Sequence, residues 1–579
     1  MAGLNQILAE RLQPAFDSLE SGADPVVRPS SRPGIDFQSN GAMGLAKRTG
    51  ANPGDVAARL AAVARLEGVC SAVEATPQGF INLTVDDGFI ARLVQQQGSD
   101  PRSGVGVTSV VKTVVVDYSS PNVAKEMHAG HLRTTIIGDA LSRMLTFVGH
   151  RVIRENHVGD WGTPFGMLIE HLLDVGEESG AHELSVGDLD AFYRQARTAF
   201  DSSEAFQERS RRRVVMLQSG DPETLRLWRV LVDGSLAYFD EVYAKLGVLL
   251  TRDDVRGESF YNDLLPVVVE ELDAAGLLVE SDGARCVFLK GYANREGEPL
   301  PLIVQKSDGG YGYAASDLAC LRDRFGRLEA DLALYVVGSP QAQHFSMCFE
   351  AATLAGYLPA RAQAVHVAFG SILGADRKMF RTRGGDTVKL VDLLDEAVAR
   401  ALAAVQSKNA SLGSDDRDAV ARMVGIGAVK YADLSTDRIR DYVFDWDRML
   451  AFEGNTAPYL QYARVRCLSI FRRGEIAPEP YSSGRIPVEL SEPAERALAV
   501  ALLGFSEAFD AVLETWSPHK LCTYLFELAG TYTTFFETCP VLQAETRSQR
   551  DSRLVLCAAT AAVLGCGLGV LGIEAPEQM

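Results

Sequence analysis

The stretch from Val110 to Gly162 leaves the chain few ways to fold. It opens on Val110, Val111, Val114, Val115 and Val116, a β-branched run suited to a buried parallel strand. Ser119-Ser120-Pro121-Asn122 follows, a turn in which Pro121 cannot donate to a strand ladder. After His128-Ala129-Gly130-His131, the apolar residues Leu132, Ile136, Ala140, Met144, Leu145 and Val148 recur at helical spacing. Val152-Ile153 begins a second strand, and Gly159-Asp160-Trp161-Gly162 turns the chain again. Strand, tight loop, helix, strand is the opening unit of a doubly wound α/β sheet. Ligands of such sheets sit beyond the carboxyl ends of the strands, over the helix N-terminus. His128 and His131 fall there.

A helix N-terminus presents unpaired N–H groups and the positive end of a dipole, which suits a nucleotide phosphate. Two imidazoles three residues apart share a helical face and can both donate to a phosphate undergoing displacement. Gly130 between them is expected to leave bare backbone for an adenine ring. An isolated H-x-G-H is ordinarily two surface histidines. Here the strand, turn, helix and second glycine turn agree, which favours the nucleotide site.

Ser119 to Asp139, SSPNVAKEMHAGHLRTTIIGD, resembles the class I aminoacyl-tRNA synthetases, and among them the arginyl-tRNA synthetases. HAGH stands where the family has its HIGH element, and the resemblance runs the length of the chain. It implies a Rossmann-like parallel-sheet catalytic domain, a small α/β N-terminal domain and an all-α anticodon-binding bundle. The expected boundaries are 1–108 for the N-terminal domain that grips the tRNA elbow and 109–375 for the catalytic domain, with a helical insertion at about 176–246. Residues 376–452 would hold the KMSKS-like loop and connecting helices, and 453–579 the anticodon module.

Composition bounds this reading. The chain has 579 residues, enough for several cores, and 57 basic against 76 acidic residues leave a net charge of −19. Such a charge excludes a non-specific nucleic-acid binder, so RNA contacts must come from local basic patches. Nine cysteines without a C-x-x-C pair read as buried thiols of a reducing compartment; no structural metal is expected. The N-terminus carries Glu10 and Arg11 early and is no secretory signal. Leu554 to Ile573 is uncharged and long enough to span a membrane. Its alanines and glycines fit better a buried terminal helix ending at Gly565 or Gly567.

In chain order, helices are expected at Asn5–Leu19 and around Ala57–Leu66, and a strand at Gly79–Leu83 with its alternation running through Val85. Ser99 to Gly106 reads as a linker. Arg209, Arg211, Arg212 and Arg213 in the insertion are either a solvated basic face or an RNA contact. Tyr313 and Asp317 lie four apart in the first turn of a helix, so they share a face. A carboxylate there can hold a guanidinium by two bonds while an aromatic ring stacks on its plane. Leu332–Val337 and Val365–Phe369 read as further strands of the sheet. His344 is either a partner of this site or a satisfied loop histidine.

The resemblance implies roles. His128, His131, Lys125, Lys378 and Arg381 would be catalytic, with His128, Gly130, His131, Gly159, Asp160 and Lys378 at ATP. Asp117, Ser120, Asn122, His131, Glu258, Tyr313, Asp317 and Gln341 would hold arginine, and Tyr459, Tyr462, Arg464 and Arg466 the tRNA. Lys378-Met379-Phe380-Arg381 resembles the KMSKS loop with Arg381 in place of its second lysine, for which Lys125 is thought to compensate. Leu571–Met579 resembles the family's C-terminus, so the chain is expected to end where the family does. The implied activity is an arginine–tRNA ligase using ATP with Mg²⁺, a cytoplasmic monomer without membrane contact. The competing readings are another HxGH nucleotidyltransferase and a non-catalytic tRNA-binding paralogue. Intact His128, His131 and Lys378 oppose the second; Tyr313, Asp317 and the helical C-terminal module oppose the first.

Overall fold

The computed structural model describes residues 3–177, 189–294, 296–378, 380, 388–408 and 413–579. The chain forms two compact units, one of residues 108–404 with 425–449 and one of 1–107 with 405–424 and 450–579.

The first unit is built on a parallel sheet of four strands in the order Gln363–His366, Leu332–Tyr335, Thr113–Asp117, Arg151–Glu155. Val114, Val115 and Val116 are fully buried, as a strand covered on both faces requires. The β-branched run overshoots this strand at its start. Val110 and Val111 are 65% and 63% exposed, because pairing begins only at Thr113, whose N–H is held by Asp331 at 2.9 Å. The last strand likewise ends at His366 and not at Phe369; beyond it, among the described residues, an isolated bridge of Gly338 to Phe369 joins the two segments. From Thr113–Asp117 the chain moves outward one way to Arg151–Glu155, and from Leu332–Tyr335 the other way to Gln363–His366. The loops leaving the two central strands therefore part, and a crevice opens between them.

Helix Ala129–Phe147 packs on this sheet with most of its surface buried. Gly138 marks the closest approach: a Cβ there would overlap the Tyr118 ring. The insertion is helical over Leu189–Ser202, Glu204–Gln218 and Pro222–Leu246. Within it Arg213 pairs with Glu170 and Arg209 with Asp174, both at 2.7 Å, so these two arginines serve helix packing. Residues 278–305, where the sequence pattern predicts no element, form an antiparallel meander of Leu278–Ser281, Ala284–Ala293 and Pro299–Gln305. It delivers the chain into helix Tyr313–Gly326.

In the second unit, strands Val27–Pro29, Phe37–Ser39, Ile81–Val85 and Cys70–Ala75 form an antiparallel sheet in that order. Helices Leu4–Asp17, Gly41–Thr49, Pro53–Val63 and Asp87–Gly98 accompany it. Arg496 of the C-terminal bundle pairs with Asp36 at 2.8 Å and Asp87 at 2.6 Å, and Gln97 donates to the Leu502 carbonyl. The terminal helix runs Arg547–Val570, past both glycines expected to end it. Gly567 is instead where Leu525 packs against the helix, and Gly565 faces the Arg464 side chain. This apolar helix is long enough to cross a membrane, yet it lies mostly buried within the bundle.

These contacts make opposite predictions for two helical glycines. Gly138→Ala lowers stability by on the order of 1–3 kcal/mol, the cost of overpacking a core. Gly569→Ala, where an added Cβ meets nothing within 4 Å, adds up to about 1 kcal/mol from helix propensity. Scanning calorimetry reads both; a Gly138→Ala protein as stable as the parent would contradict the packing.

Candidate active site

The helix Ala129–Phe147 begins with an unusual cap. Short oxygen-bearing side chains usually fill the N-cap; here it is His128. Its Nδ1 accepts the Gly130 N–H at 3.0 Å, and Nδ1 of His131 accepts the His128 N–H at 3.1 Å. A nitrogen that accepts from a backbone N–H carries no proton itself. Each neutral ring must then hold its proton on Nε2, which makes two N–H donors. Burial pushes His131 down to about 3, with His128 and Lys125 adding to the effect. His128 is lowered for the same first reason, against the pull of Asp190. The ring centroids stand 4.1 Å apart. A Cβ on Gly130 would come within 2.7–2.8 Å of the His128 ring, so the bare backbone at Gly130 first accommodates the capping imidazole.

Beside the cap lies a cavity of about 200 Å³, lined by His128, Ala129, Gly130 and Arg133, by Gly338 and Pro340, and by Phe369–Ile372, Phe380 and Val388. Its walls are largely apolar and free of carboxylates among the described residues, which suits a purine base. The described residues flanking 379–387 are held on each side. Ile372–Leu373 pairs with Tyr442–Val443, while Ala129 N–H donates to Val388 O and Leu390 N–H to Met127 O. Between these ends Lys378 is exposed at the close of a turn in which Gly374 N–H donates to Lys378 O. Arg381 lies outside the described residues. Lys125 is exposed, with Nζ 4.8 Å from the centre of the Tyr193 ring. Arg133 is a contact that motif reading passes over. Buried, it pairs with Asp433 at 3.1 Å and donates to the Arg440 carbonyl at 2.9 Å, tying the capped helix to the mini-sheet.

Gly159 and Asp160 do not line this cavity. Gly159 bridges to Asn122, whose side chain occupies the space a Cβ would need. Asp160 is buried and accepts both the N–H and the hydroxyl of Ser259, while burial raises its carboxyl. It locks the turn that carries Glu258.

On the other side of the loop Ser119 to Ala124 the crevice is acidic. Ser119, Ser120 and Ala124 all have left-handed backbone (φ 75°, 50° and 59°), a concentration of strain typical of functional loops. Asp117 is not free to face a substrate. Arg324, fully buried, donates to Asp117 and to Glu155 at 2.7 Å each, with its guanidinium 4.6 Å from the centre of the Tyr335 ring. These carboxylates sit opposite each other at the ends of paired strands, and the internal arginine compensates both. Asp117 also accepts from Ser120 Oγ at 3.2 Å, so it positions Ser120. This corrects its expected role as a direct arginine ligand. Glu258 is partly buried and its carboxyl raised, first by burial, against the influence of His157. Asp317 accepts from His344 Nε2 at 2.5 Å, which makes His344 a partner of this site. Tyr313 is 79% exposed at the helix start, and Gln341 is exposed in the turn after Leu332–Tyr335. His157 was not singled out by its motif. Its Nδ1 stands 3.0 Å from the Arg256 carbonyl, and Asp117 and Asp317 are close enough to act on its charge.

In the second unit, Tyr459 packs near Phe526 and Arg466 lies over Phe536 at 4.4 Å. Tyr462 is partly exposed. Arg464 donates to the carbonyls of Ala575 and Pro576, so it anchors the C-terminal tail.

An imidazole-capped helix at the reversal point of a parallel sheet, beside a purine-sized cavity, is joined by a family match that makes the class plain: a class I aminoacyl-tRNA synthetase. The profile "tRNA synthetases class I (R), catalytic domain" matches residues 97–446. The arginyl-tRNA synthetase N-terminal domain matches 2–85 and the DALR anticodon binding domain 460–579. The chain belongs to the arginyl-tRNA synthetase family. It is 53% identical to the arginine–tRNA ligase of Thermobifida fusca and 48% to that of Shigella sonnei, each over the full length of both chains. The crystal structure of arginyl-tRNA synthetase from Plasmodium falciparum superposes over all of both chains with a TM-score of 0.86 at 28% identity.

The Asp317–His344 bond makes the free charge of the Asp317 carboxylate pH-dependent. The hydrogen bond to Asp317 is the first cause raising His344 above the usual histidine range, with burial opposing. Below that raised value His344 is a cation that already neutralises Asp317; as pH rises through it, the carboxylate becomes available. The KM for arginine should therefore fall as pH rises through the His344 transition, and His344→Gln should flatten the profile. An unchanged profile in that variant would remove His344 from the site.

Proposed function

We propose that this arginine–tRNA ligase divides its chemistry across the two sides of the loop Ser119 to Ala124. The observation that carries the reading is the pair of Nε2–H donors created by the imidazole cap. ATP enters with adenine in the cavity beside Gly130 and its α-phosphate over the helix N-terminus. The carboxylate of arginine attacks the α-phosphorus and pyrophosphate leaves. His128 and His131 donate to the phosphate oxygens on which charge grows, and being neutral before reaction they need lose no proton to the site. Lys378 and Lys125 would supply cationic charge to the departing pyrophosphate, with Arg381, outside the described residues, as the third candidate, and Mg²⁺ would accompany the phosphates of ATP. The terminal ribose hydroxyl of the tRNA then attacks the arginyl carbonyl and releases AMP.

Glu258 and Asp317 bind the guanidinium of arginine and Tyr313 closes on its plane, while Ser120, Asn122 and Gln341 hold the α-amino and carboxylate end. Two carboxylates against a planar fork distinguish arginine from lysine by geometry, since lysine presents only a point charge. Arg324 supports this selectivity by cancelling Asp117 and Glu155 beneath the pocket. Tyr459, Tyr462 and Arg466 meet the tRNA through stacking and charge. The enzyme works as a cytoplasmic monomer, with residues 1–108 and 453–579 holding the tRNA.

Arginine-dependent ATP–pyrophosphate exchange, with and without tRNA and with lysine as control, tests this directly. Exchange should require arginine. His131→Asn should lower it by about 10²–10³-fold, as for loss of one preorganised donor, and leave tRNA affinity within about twofold. Full exchange in that variant would remove the histidine from the mechanism.

A further inference from the structure

We propose that Asp317, His344 and Cys348 form a binding site for a borderline-soft divalent cation such as Zn²⁺, and that the bound ion blocks arginine from Asp317. The second half rests on the reading of Asp317 as a guanidinium ligand; the first does not.

The three donor atoms lie within 4.8 Å of one another. His344 and Cys348 are four apart on helix Ala342–Leu354 and so share a face, while Asp317 comes from helix Tyr313–Gly326. Sγ of Cys348 stands 3.6 Å from Nε2 of His344, and Oδ2 of Asp317 stands 2.5 Å from the same nitrogen. With Zn–N near 2.0 Å and Zn–S near 2.3 Å, a tetrahedral ion spaces its ligand atoms by roughly 3.3–3.6 Å. The sulfur–nitrogen pair already has that spacing. The carboxylate–imidazole pair reaches it when the proton between them is exchanged for the ion. Nitrogen, oxygen and sulfur together select Zn²⁺ and Co²⁺ over Mg²⁺ or Ca²⁺. Cys348 closes the inner side, whereas Asp317 and His344 are partly exposed and leave a fourth position to the crevice.

The balance is a proton exchange without redox change. The Cys348 thiol gives up its proton, the Asp317–His344 pair gives up the proton it shares when charged, and the ion binds thiolate, neutral imidazole and carboxylate. Ion binding therefore strengthens with pH. Arginine and the ion compete because each needs the same Asp317 oxygens.

The test is a Co²⁺ titration of the full-length protein at mildly alkaline pH, with Zn²⁺ inhibition of pyrophosphate exchange in parallel. The expected result is a tetrahedral cobalt spectrum with a thiolate-to-cobalt band that arginine suppresses. Zn²⁺ should raise the KM for arginine without lowering the maximal rate. Cys348→Ala should keep basal exchange, lose the band and weaken Zn²⁺ inhibition by at least about tenfold; Cys348→Val repeats the test with another apolar replacement. No thiolate band, or one that persists in both variants, overturns the site. A Cys348-dependent band that arginine leaves unchanged supports the ion site and overturns the blocking of arginine.

Discussion

The N-cap of one helix governs the site. Because His128 caps Ala129–Phe147 through Nδ1, and His131 closes the box through its own Nδ1, two backbone N–H groups decide where each imidazole carries its proton. The same bonds orient the rings, and burial keeps them neutral. An aspartate cap would satisfy the helix as well but would present only an acceptor to a phosphate. With histidine, the element that ends the helix cleanly is also the donor surface.

The remaining contacts hold that cap in register with what faces it. Val388–Leu390 hydrogen-bonds to Met127–Ala129, so the exit of the KMSKS-like segment is fixed to the helix start. Arg133 binds Asp433 and the Arg440 carbonyl one turn further on, joining the same helix to the mini-sheet at the segment's entry. Under the acidic side, Arg324 is a second internal strut. A buried guanidinium is costly to desolvate unless paired, and pairing it with both Asp117 and Glu155 satisfies three buried charges at once. Glu258 and Asp317 are then left to meet a cation from outside.

Much of this was legible in the residue pattern because period and punctuation agree there. Val114–Val116, the Pro121 turn and the helical spacing after His131 locate the sheet, the loop and the capped helix within a few residues. The pattern errs where one composition serves two settings. Val110 and Val111 are as β-branched as Val114, but strand pairing starts only at Thr113, and nothing in a valine reports where its partner begins. Gly565 and Gly567 read as helix ends when their role is to admit Arg464 and Leu525. Charged residues mislead most. Arg464 reads as RNA-facing and the pattern gives no reading of Arg324 or Arg133, yet each is committed within the fold, a fact that depends on partners up to 307 residues away. Asp117 reads as an arginine ligand for the same reason, whereas its partner in the fold is Arg324. The meander 278–305 escapes because its alternation is interrupted by register shifts.

The central claim is the protonation state of the capping pair. Nitrogen-15 NMR of the imidazoles, with the nine histidines assigned by substitution, measures it directly. The account predicts that His131 shows the Nε2–H tautomer with an unprotonated Nδ1, and that its signals do not titrate between pH 8 and pH 5, consistent with a value near 3. An Nδ1–H tautomer, or a transition near the ordinary histidine value of about 6.5, would contradict the cap as the source of the site's two donors.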